Sequence, residues 1–279
     1  MLYLISVSLL WAFSFGLTKG LTTGIDGTFV ATARVGLAML VFLPFLRIRG
    51  LSARTTFALI GIGAVQFGLM YLAYNESFHF LPAYQVALFT VTTPLLVTLL
   101  ADAFDRKLRL RALSAALLAV AGTAIVVFKA GAPLGTLKGF IFVQLANAAF
   151  AIGQVLYRRV RAWPGTPNDR AIFALLYAGA FIVTLIALLL KGDVTITIHS
   201  TQLLTLLYLG IIASGVGFFL WNRGATQVNA GTLAVMNNAK VPLAIACSLL
   251  FFGETADLPR LAASFGLIAT AVWLAGKKE

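Results

Sequence analysis

Apolar and polar positions alternate along this chain in long blocks. Ten apolar runs, at about 2–20, 28–46, 55–75, 83–101, 108–128, 136–157, 171–190, 202–222, 230–252 and 260–276, are separated by short polar connections. Each run is near the ~20 residues a helix needs to cross ~30 Å of hydrocarbon. Backbone groups in lipid must bond within their own segment, so the runs are predicted to be helices; the strict alternation of a membrane barrel is absent. The longest connections are Arg158–Arg170, broken by Trp163-Pro164-Gly165 and Pro167, and Gly192–Thr201, whose composition favours strand. Neither has the length of a second domain. The first run starts at Leu2 with no basic region before it and no A-x-A pattern after Leu21, so it is expected to be a retained helix rather than a leader.

The second half of the pattern repeats the first. A shift of 147 places Tyr74-Asn75-Glu76 on Trp221-Asn222-Arg223, Ala83 on Ala230 and Val86-Ala87-Leu88 on Leu233-Ala234-Val235. One inserted residue later, Pro94 meets Pro242. Five helices per copy is an odd number, so the second copy must sit upside down relative to the first. The expected architecture is all-α and polytopic: ten transmembrane helices in two inverted five-helix repeats, 1–130 and 131–279. In such designs the substrate site lies near the bilayer midplane, between the repeats.

Charge orients this array. Only 11% of the 279 residues are charged and mean hydropathy is +0.96, against about 25% charged in soluble domains. The net charge of +12 would suggest nucleic acid in a soluble protein, but here the basic residues sit in short connections. Fourteen of 21 Lys and Arg, including Arg47, Arg54, Arg106, Arg158 and Arg223, fall on the side of the termini, and five fall opposite. By the positive-inside rule both termini are expected in the cytoplasm, in a bacterial inner membrane, with no nucleic-acid partner. A single cysteine, Cys247, allows neither an intrachain disulfide nor a cysteine-built metal cluster. Small-xxx-small pairs such as Gly16 with Gly20 suit helix packing or a dimer face, leaving monomer and homodimer open.

Against this apolar background the intramembrane polar residues stand out. Lys240 lies eleven positions into its run, ~16 Å deep at 1.5 Å per residue. Charge at that depth costs ~2.5–3.5 kcal/mol or more, and the stem is too short to snorkel out. Asn237 and Asn238 precede it and Pro242 follows, so a polar, interrupted helix is expected there. Lys240 either faces a cavity or bonds to carbonyls of a neighbour. Arg34, nearer a helix end, either faces inward or snorkels. In the first repeat Thr90, Thr92 and Thr93 precede Pro94, and Thr93 falls on Lys240; these hydroxyls contact ligand or satisfy the freed carbonyl. Gln66, Gln85, Gln144, Asn147 and Gln154 line a cavity or join helices. Trp11, Tyr71, Tyr74, Phe78, Tyr84 and Trp221 offer rings for an apolar or aromatic substrate.

The nine acids, from Asp26 to Glu279, all fall in connections or at the ends of runs. A site for lipophilic cations would need a carboxylate at mid-depth; this chain has Lys240 there, which favours a substrate bearing a carboxylate. A carboxylate proton relay has no obvious member, so transport down a gradient is the simpler expectation. An intramembrane enzyme would need convergent acids, bases or metal ligands, and His79 and His199 are far apart in connections. No cofactor or metal is expected. A channel would need repeated pore-lining rings, which are not visible.

The same residues carry a family resemblance. Trp11-Ala12-Phe13-Ser14-Phe15-Gly16-Leu17-Thr18-Lys19 resembles the first helix of the EamA-type ten-helix exporters of the drug/metabolite transporter superfamily. Pro242, eleven residues before Gly253-Glu254 with Gly266 beyond, resembles the end of their second repeat. The first repeat departs, reading Phe104-Asp105-Arg106 where a second Gly-Glu pair would stand. The resemblance implies export of amino acids or other small metabolites by alternating access. The aromatic-rich composition most resembles the aromatic amino-acid exporters. The expected substrate site comprises Lys240, Asn237, Asn238, Thr93, Thr90, Trp11, Tyr74, Tyr84 and Gln144, and a channel or an exporter of other metabolites or drugs is the alternative.

Overall fold

A computed structural model describes residues 2–106, 134–191, 198–228 and 230–276, with single positions between 114 and 125. Every regular element among them is a helix. In chain order they are α1 (Leu2–Gly24), α2 (Gly27–Phe42, closing in a 3-10 turn at Leu43–Phe45) and α3 (Ala53–Ser77). There follow α4 (Ala83–Phe89 and Thr93–Asp105, joined by a 3-10 turn), α5 (Leu134–Arg161), α6 (Asp169–Lys191), α7 (Ser200–Thr226), α8 (Ala230–Phe251) and α9 (Leu258–Gly276). Seven of these, α1 to α7, are long and apolar enough to cross a membrane, and α8 contains a shorter apolar stretch, Lys240–Phe251. The expected run at 108–128 lies outside the described residues apart from those single positions, as does most of the β-rich connection after Gly192.

The helices pack reciprocally. α1 lies against α7 and α8, while α5 lies against α3 and α4. α2 lies against α7, and α6 against α3; α2 also meets α6 directly, and α4 meets α8. Each of the first four helices is therefore built into a wall of the second four, and neither set forms a bundle of its own.

Two helices are widened in the same way. α3 carries a π segment at Ala64–Leu69 and α7 one at Tyr208–Val216. The shift of 147 that aligns the two halves carries 64–69 onto 211–216, inside the second segment. Single π turns inside α-helices free carbonyls from the ladder and occur frequently at functional sites. In α7 two carbonyls of this segment take side chains: Ala213 accepts from the Trp11 indole at 2.9 Å, and Ser214, which also accepts from the Gly217 N–H, takes the Tyr177 hydroxyl at 2.6 Å.

α8 departs from expectation. It remains helical through Pro242, so the interruption predicted beside Lys240 is absent. The break lies in α4, at Thr90–Thr92 before Pro94. Its Phe89 carbonyl accepts from Asn147 Nδ2 at 2.9 Å, and Thr90 donates to the Ala87 carbonyl at 2.7 Å. Neighbouring side chains thus hold the interrupted turn.

The start of α4 is capped from far along the chain. Pro82 has no side-chain cap to offer. Instead the Glu254 carboxylate accepts the N–H groups of Ala83 (2.6 Å) and Tyr84 (2.9 Å), and also the Ser248 hydroxyl. A carboxylate there also meets the positive end of the helix dipole. The Gly253-Glu254 pair therefore fastens the α8–α9 connection to α4.

At the opposite end, arginines interlock with aromatic rings. Arg54 stacks over Trp163 (4.7 Å), Arg170 over Phe45 (4.9 Å) and Arg159 over Phe104 (4.7 Å). Arg161 pairs with Asp169 at 2.8 Å. The basic connections 43–54 and 158–170 thus meet at one end of the bundle.

The tightest crossing, α3 on α6, depends on glycine. A Cβ on Gly179 would stand 1.9 Å from the Ile60 carbonyl oxygen, and one on Gly63 would stand 1.8 Å from that of Leu176. Backbone, not a side-chain tip, occupies the space. Gly179→Ala is expected to force α3 and α6 apart at a cost of about 1–3 kcal/mol. Thermal unfolding in detergent checks this, and an unchanged Tm would show that the crossing adjusts freely.

Candidate functional site

One cavity lies between the two sets of helices, lined by α1 to α5, α7 and α8. Lys240 enters from α8 and is buried. Its ammonium lies 4.8 Å from the centroid of the Trp11 ring and 5.7 Å from that of Trp221. The two indoles are themselves 5.1 Å apart. Indole faces attract a cation by ~0.5–2 kcal/mol, which offsets part of the cost of burying it. The Trp11 ring is fixed by its bond to the freed Ala213 carbonyl. The π segment of α7 thereby positions the ring on which Lys240 rests.

Arg34 enters from α2 and is 3% exposed, so it does not snorkel. Its guanidinium donates to Ser214 Oγ (3.1 Å), Thr18 Oγ1 (3.0 Å) and the Tyr71 hydroxyl (3.0 Å), and stacks over the Tyr71 ring at 4.4 Å. Tyr71 and Ser214 are also bonded to each other at 2.7 Å. Arg34 thus ties α1, α3 and α7 together beside the π segment. Among the described residues neither Arg34 nor Lys240 pairs with a carboxylate, and no Asp or Glu lines the cavity.

The rest of the wall combines hydroxyls with apolar surface. Ser14, Tyr71, Tyr74, Thr90 and Thr93 contribute polar groups, and Asn147 an amide. Phe15, Met70, Phe150 and Phe218 supply apolar faces. The cavity volume is about 80 Å³, room for several water molecules. Two cations, hydroxyl donors and aromatic faces together suit an anionic group attached to an apolar body.

Five of the expected residues converge here: Lys240, Thr93, Thr90, Trp11 and Tyr74. Two do not. Tyr84 sits at the start of α4, where its N–H is capped by Glu254 and its hydroxyl accepts from Gln85 at 3.2 Å. Gln144 lies one turn from Asn147 and holds the break in α4, accepting from Thr92 at 2.7 Å and donating to the Phe89 carbonyl at 3.3 Å. The side chains of Asn237 and Asn238 lie outside what is described. The lining residues Ser14, Met70, Phe150 and Phe218 were not foreseen. Asn147 and Phe150 are three apart on α5, a spacing that places both on one face.

A sequence model of the EamA-like transporter family matches residues 1–128 and again residues 137–276. The chain belongs to the EamA-like transporter family. It is thus an integral membrane transporter and not an enzyme. Among its EamA-like relatives, the "Probable biotin transporter" of Pseudomonas aeruginosa is 44% identical over 284 positions, covering 100% of this chain and 99% of that protein. The proteins named "Biotin transporter" from Salmonella typhimurium and Escherichia coli K12 are each 40% identical, covering 98% of this chain and 92% of theirs. One crystal structure matches with a TM-score of 0.69 at 18% identity, over 98% of this chain and 95% of that one, which shows a shared fold alone. None of the relatives compared carries the name of an aromatic amino-acid exporter, so the finer resemblance is corrected. Its signal was aromatic richness, and much of that serves helix packing: Phe42, Phe67, Phe173, Tyr177 and Phe219 stack among themselves.

Arg34→Lys keeps the charge but loses the planar fork that reaches three hydroxyls at once. A loss of about 1.5–3 kcal/mol is expected, as for a hydrogen bond to a charged group. Thermal unfolding of the Arg34→Lys and Ser214→Ala variants and their double variant measures it. Additive effects of the two substitutions would show that the contact is not the source.

Proposed function

We propose that this protein carries biotin, or a small monocarboxylate of similar shape, across the bacterial cytoplasmic membrane by alternating access. The observation that carries the reading is the pair of buried cations without an acid. Biotin joins a carboxylate, through an aliphatic chain, to an uncharged ring system that carries a thioether and a urea group; the carboxylate suits a positive cavity and the aliphatic part suits walls of Phe and Trp. The names of the relatives agree with this substrate.

The expectation of an amino acid is weaker on electrostatic grounds. A zwitterion brings an ammonium as well as a carboxylate. That ammonium would face Lys240 and Arg34 with no acid among the described lining residues to receive it, at an unscreened cost in a low-dielectric cavity. The absence of a carboxylate at mid-depth also favours flux down the substrate's own gradient.

The architecture belongs to the same proposal: ten helices in two inverted repeats, 1–130 and 131–279, with both termini cytoplasmic. The reciprocal helix contacts, the two π segments related by the sequence shift and the twofold match to one family model support it. The gathering of arginines at one end supports the orientation.

Transport into proteoliposomes tests the substrate. Labelled biotin is expected to show saturable flux indifferent to a pH gradient, with phenylalanine and a lipophilic cation excluded. Biotinamide, which lacks the charge, should compete at least about tenfold less well than biotin, as loss of a buried ionic contact worth 1.4 kcal/mol or more implies. Lys240→Ala should cut flux by a similar factor in protein that still inserts and folds. Equal competition by biotinamide, or normal flux in the Lys240→Ala variant, would remove the carboxylate contact from the mechanism.

A further inference from the structure

A second polar cluster lies just beyond the cavity, toward the arginine-rich end. Three helices each carry an amide side chain four residues from a cavity-lining residue: Gln66 before Met70 on α3, Gln154 after Phe150 on α5, and Asn222 after Phe218 on α7. In each case the step leads toward Arg54, Arg158 or Arg223. All three amides are buried, at 0%, 1% and 1% exposure. Gln66 Nε2 donates to Asn222 Oδ1 at 3.1 Å, and α5 passes so close at the residue before Gln154 that a Cβ on Gly153 would stand 2.1 Å from Cβ of Gln66.

These amides are incompletely bonded. Gln66 Oε1, Asn222 Nδ2 and both polar atoms of Gln154 have no hydrogen-bond partner among the described residues. Nor has the indole N–H of Trp221, whose ring faces Lys240. Whichever way the bonded pair is turned, each amide keeps one atom spare. Buried polar groups are nearly always satisfied, and an unsatisfied one lowers stability. Uncharged spare donors and acceptors beside the cavity can bond a polar group that reaches them.

We infer that Gln66, Gln154 and Asn222 form a second station on the cytoplasmic side of the path, which takes a neutral hydrogen-bonding group of the amide or urea class. The inference rests on the transport reading and extends it: the cationic cavity receives the carboxylate, and the amide station receives the uncharged polar end. A urea group presents two N–H donors and one strong acceptor, the complement of what the cluster leaves spare. The cavity wall nearest the amides in sequence is largely aromatic. Phe150 and Phe67 pack on Phe218 at 5.8 and 4.8 Å.

The test separates a station from packing. Gln154→Leu and the double variant Gln66→Leu with Asn222→Leu remove the spare atoms. If the cluster serves the path, both are expected to melt at the same temperature as the wild type or a few degrees higher. Biotin binding in detergent should stay within about threefold, and flux should fall about tenfold or more. A lowered Tm, or unchanged flux, would overturn the inference and leave the amides as packing. Gln154→Cys in a Cys247→Ala background gives a second reading. A membrane-impermeant thiol reagent on the cytoplasmic side should label it, and biotin should slow the labelling. Labelling that biotin does not slow would mean that the station admits water only, which overturns its role in substrate binding. If the wild type moves no biotin, the substrate proposal fails by itself. The cysteine then decides the station: labelling supports a cytoplasmic path through the cluster, and its absence overturns it.

Discussion

Two cations held in apolar surroundings with no acid beside them among the described residues are the constraint on which the site depends. A buried charge is costly unless other groups replace its water. Lys240 is met by indole faces and Arg34 by three hydroxyls. Rings and hydroxyls lower the cost but bring no negative charge, so the cavity retains a positive field. On the proposed reading a carboxylate from outside completes it. An internal Asp or Glu would have satisfied the same cations permanently and left the ligand nothing to offer. This is also the argument for a monoanion over a zwitterion.

The irregular turns explain how those partners come to be in place. A regular helix uses its own carbonyls. In the π segment of α7 the Gly217 N–H passes over the Ala213 carbonyl, which takes Trp11 from α1, while the Ser214 carbonyl takes Tyr177 from α6 besides its backbone bond. The broken turn of α4 brings Thr90 and Thr93 to the cavity, and Asn147 and Gln144 of α5 hold it. In both places a helix of one half supplies the opening and the other half supplies at least one group that fills it. The site therefore exists only when the halves are assembled. The same interleaving distributes Glu254, which caps α4 from beyond α8.

How much of this was legible in the sequence differs by kind of residue. Helix positions were readable because apolar runs of membrane length have few alternatives, and the first four helices begin within a few residues of their expected starts. Lys240 was readable for the same reason: a lysine so deep has few bland explanations. Arg34 was underweighted because depth was judged from distance to a helix end, whereas its three partners come from α1, α3 and α7. Tyr84 and Gln144 were misplaced because residue type says nothing about which face of a helix meets the cavity. Pro242 misled for a different reason. A proline at depth suggests a break, yet α8 tolerates it, while the break at Pro94 has Thr92, Gln144 and Asn147 beside it to satisfy the loosened backbone. The amides of Gln66 and Gln154 were visible as intramembrane polar residues, but their convergence with Asn222 is a fact of packing. The choice of amino acid as substrate came from the family resemblance and from the carboxylate that Lys240 favours, and counting rings only narrowed it to aromatic side chains; the ammonium of a zwitterion, for which the sequence offers no mid-depth carboxylate, was left out of that reading.

The aromatic wall and the amide cluster bear on how two conformations remain close in energy. In the closed arrangement the rings of Phe67, Phe150 and Phe218 gain by mutual burial, while spare amide atoms and the Trp221 N–H lose for want of partners. Parting the rings reverses both terms: rings lose contact, and the amides gain water or a ligand group. The two effects have opposite signs and come from the same displacement. A transporter needs states separated by no more than a few kcal/mol, so that differential binding can move the population between them. A fully satisfied core beneath the cavity would hold one state too deeply. On the inferred role of the amide cluster, the incomplete bonding of Gln66, Gln154 and Asn222 keeps the closed state from being too stable, and a ligand group that bonds them favours opening on their side.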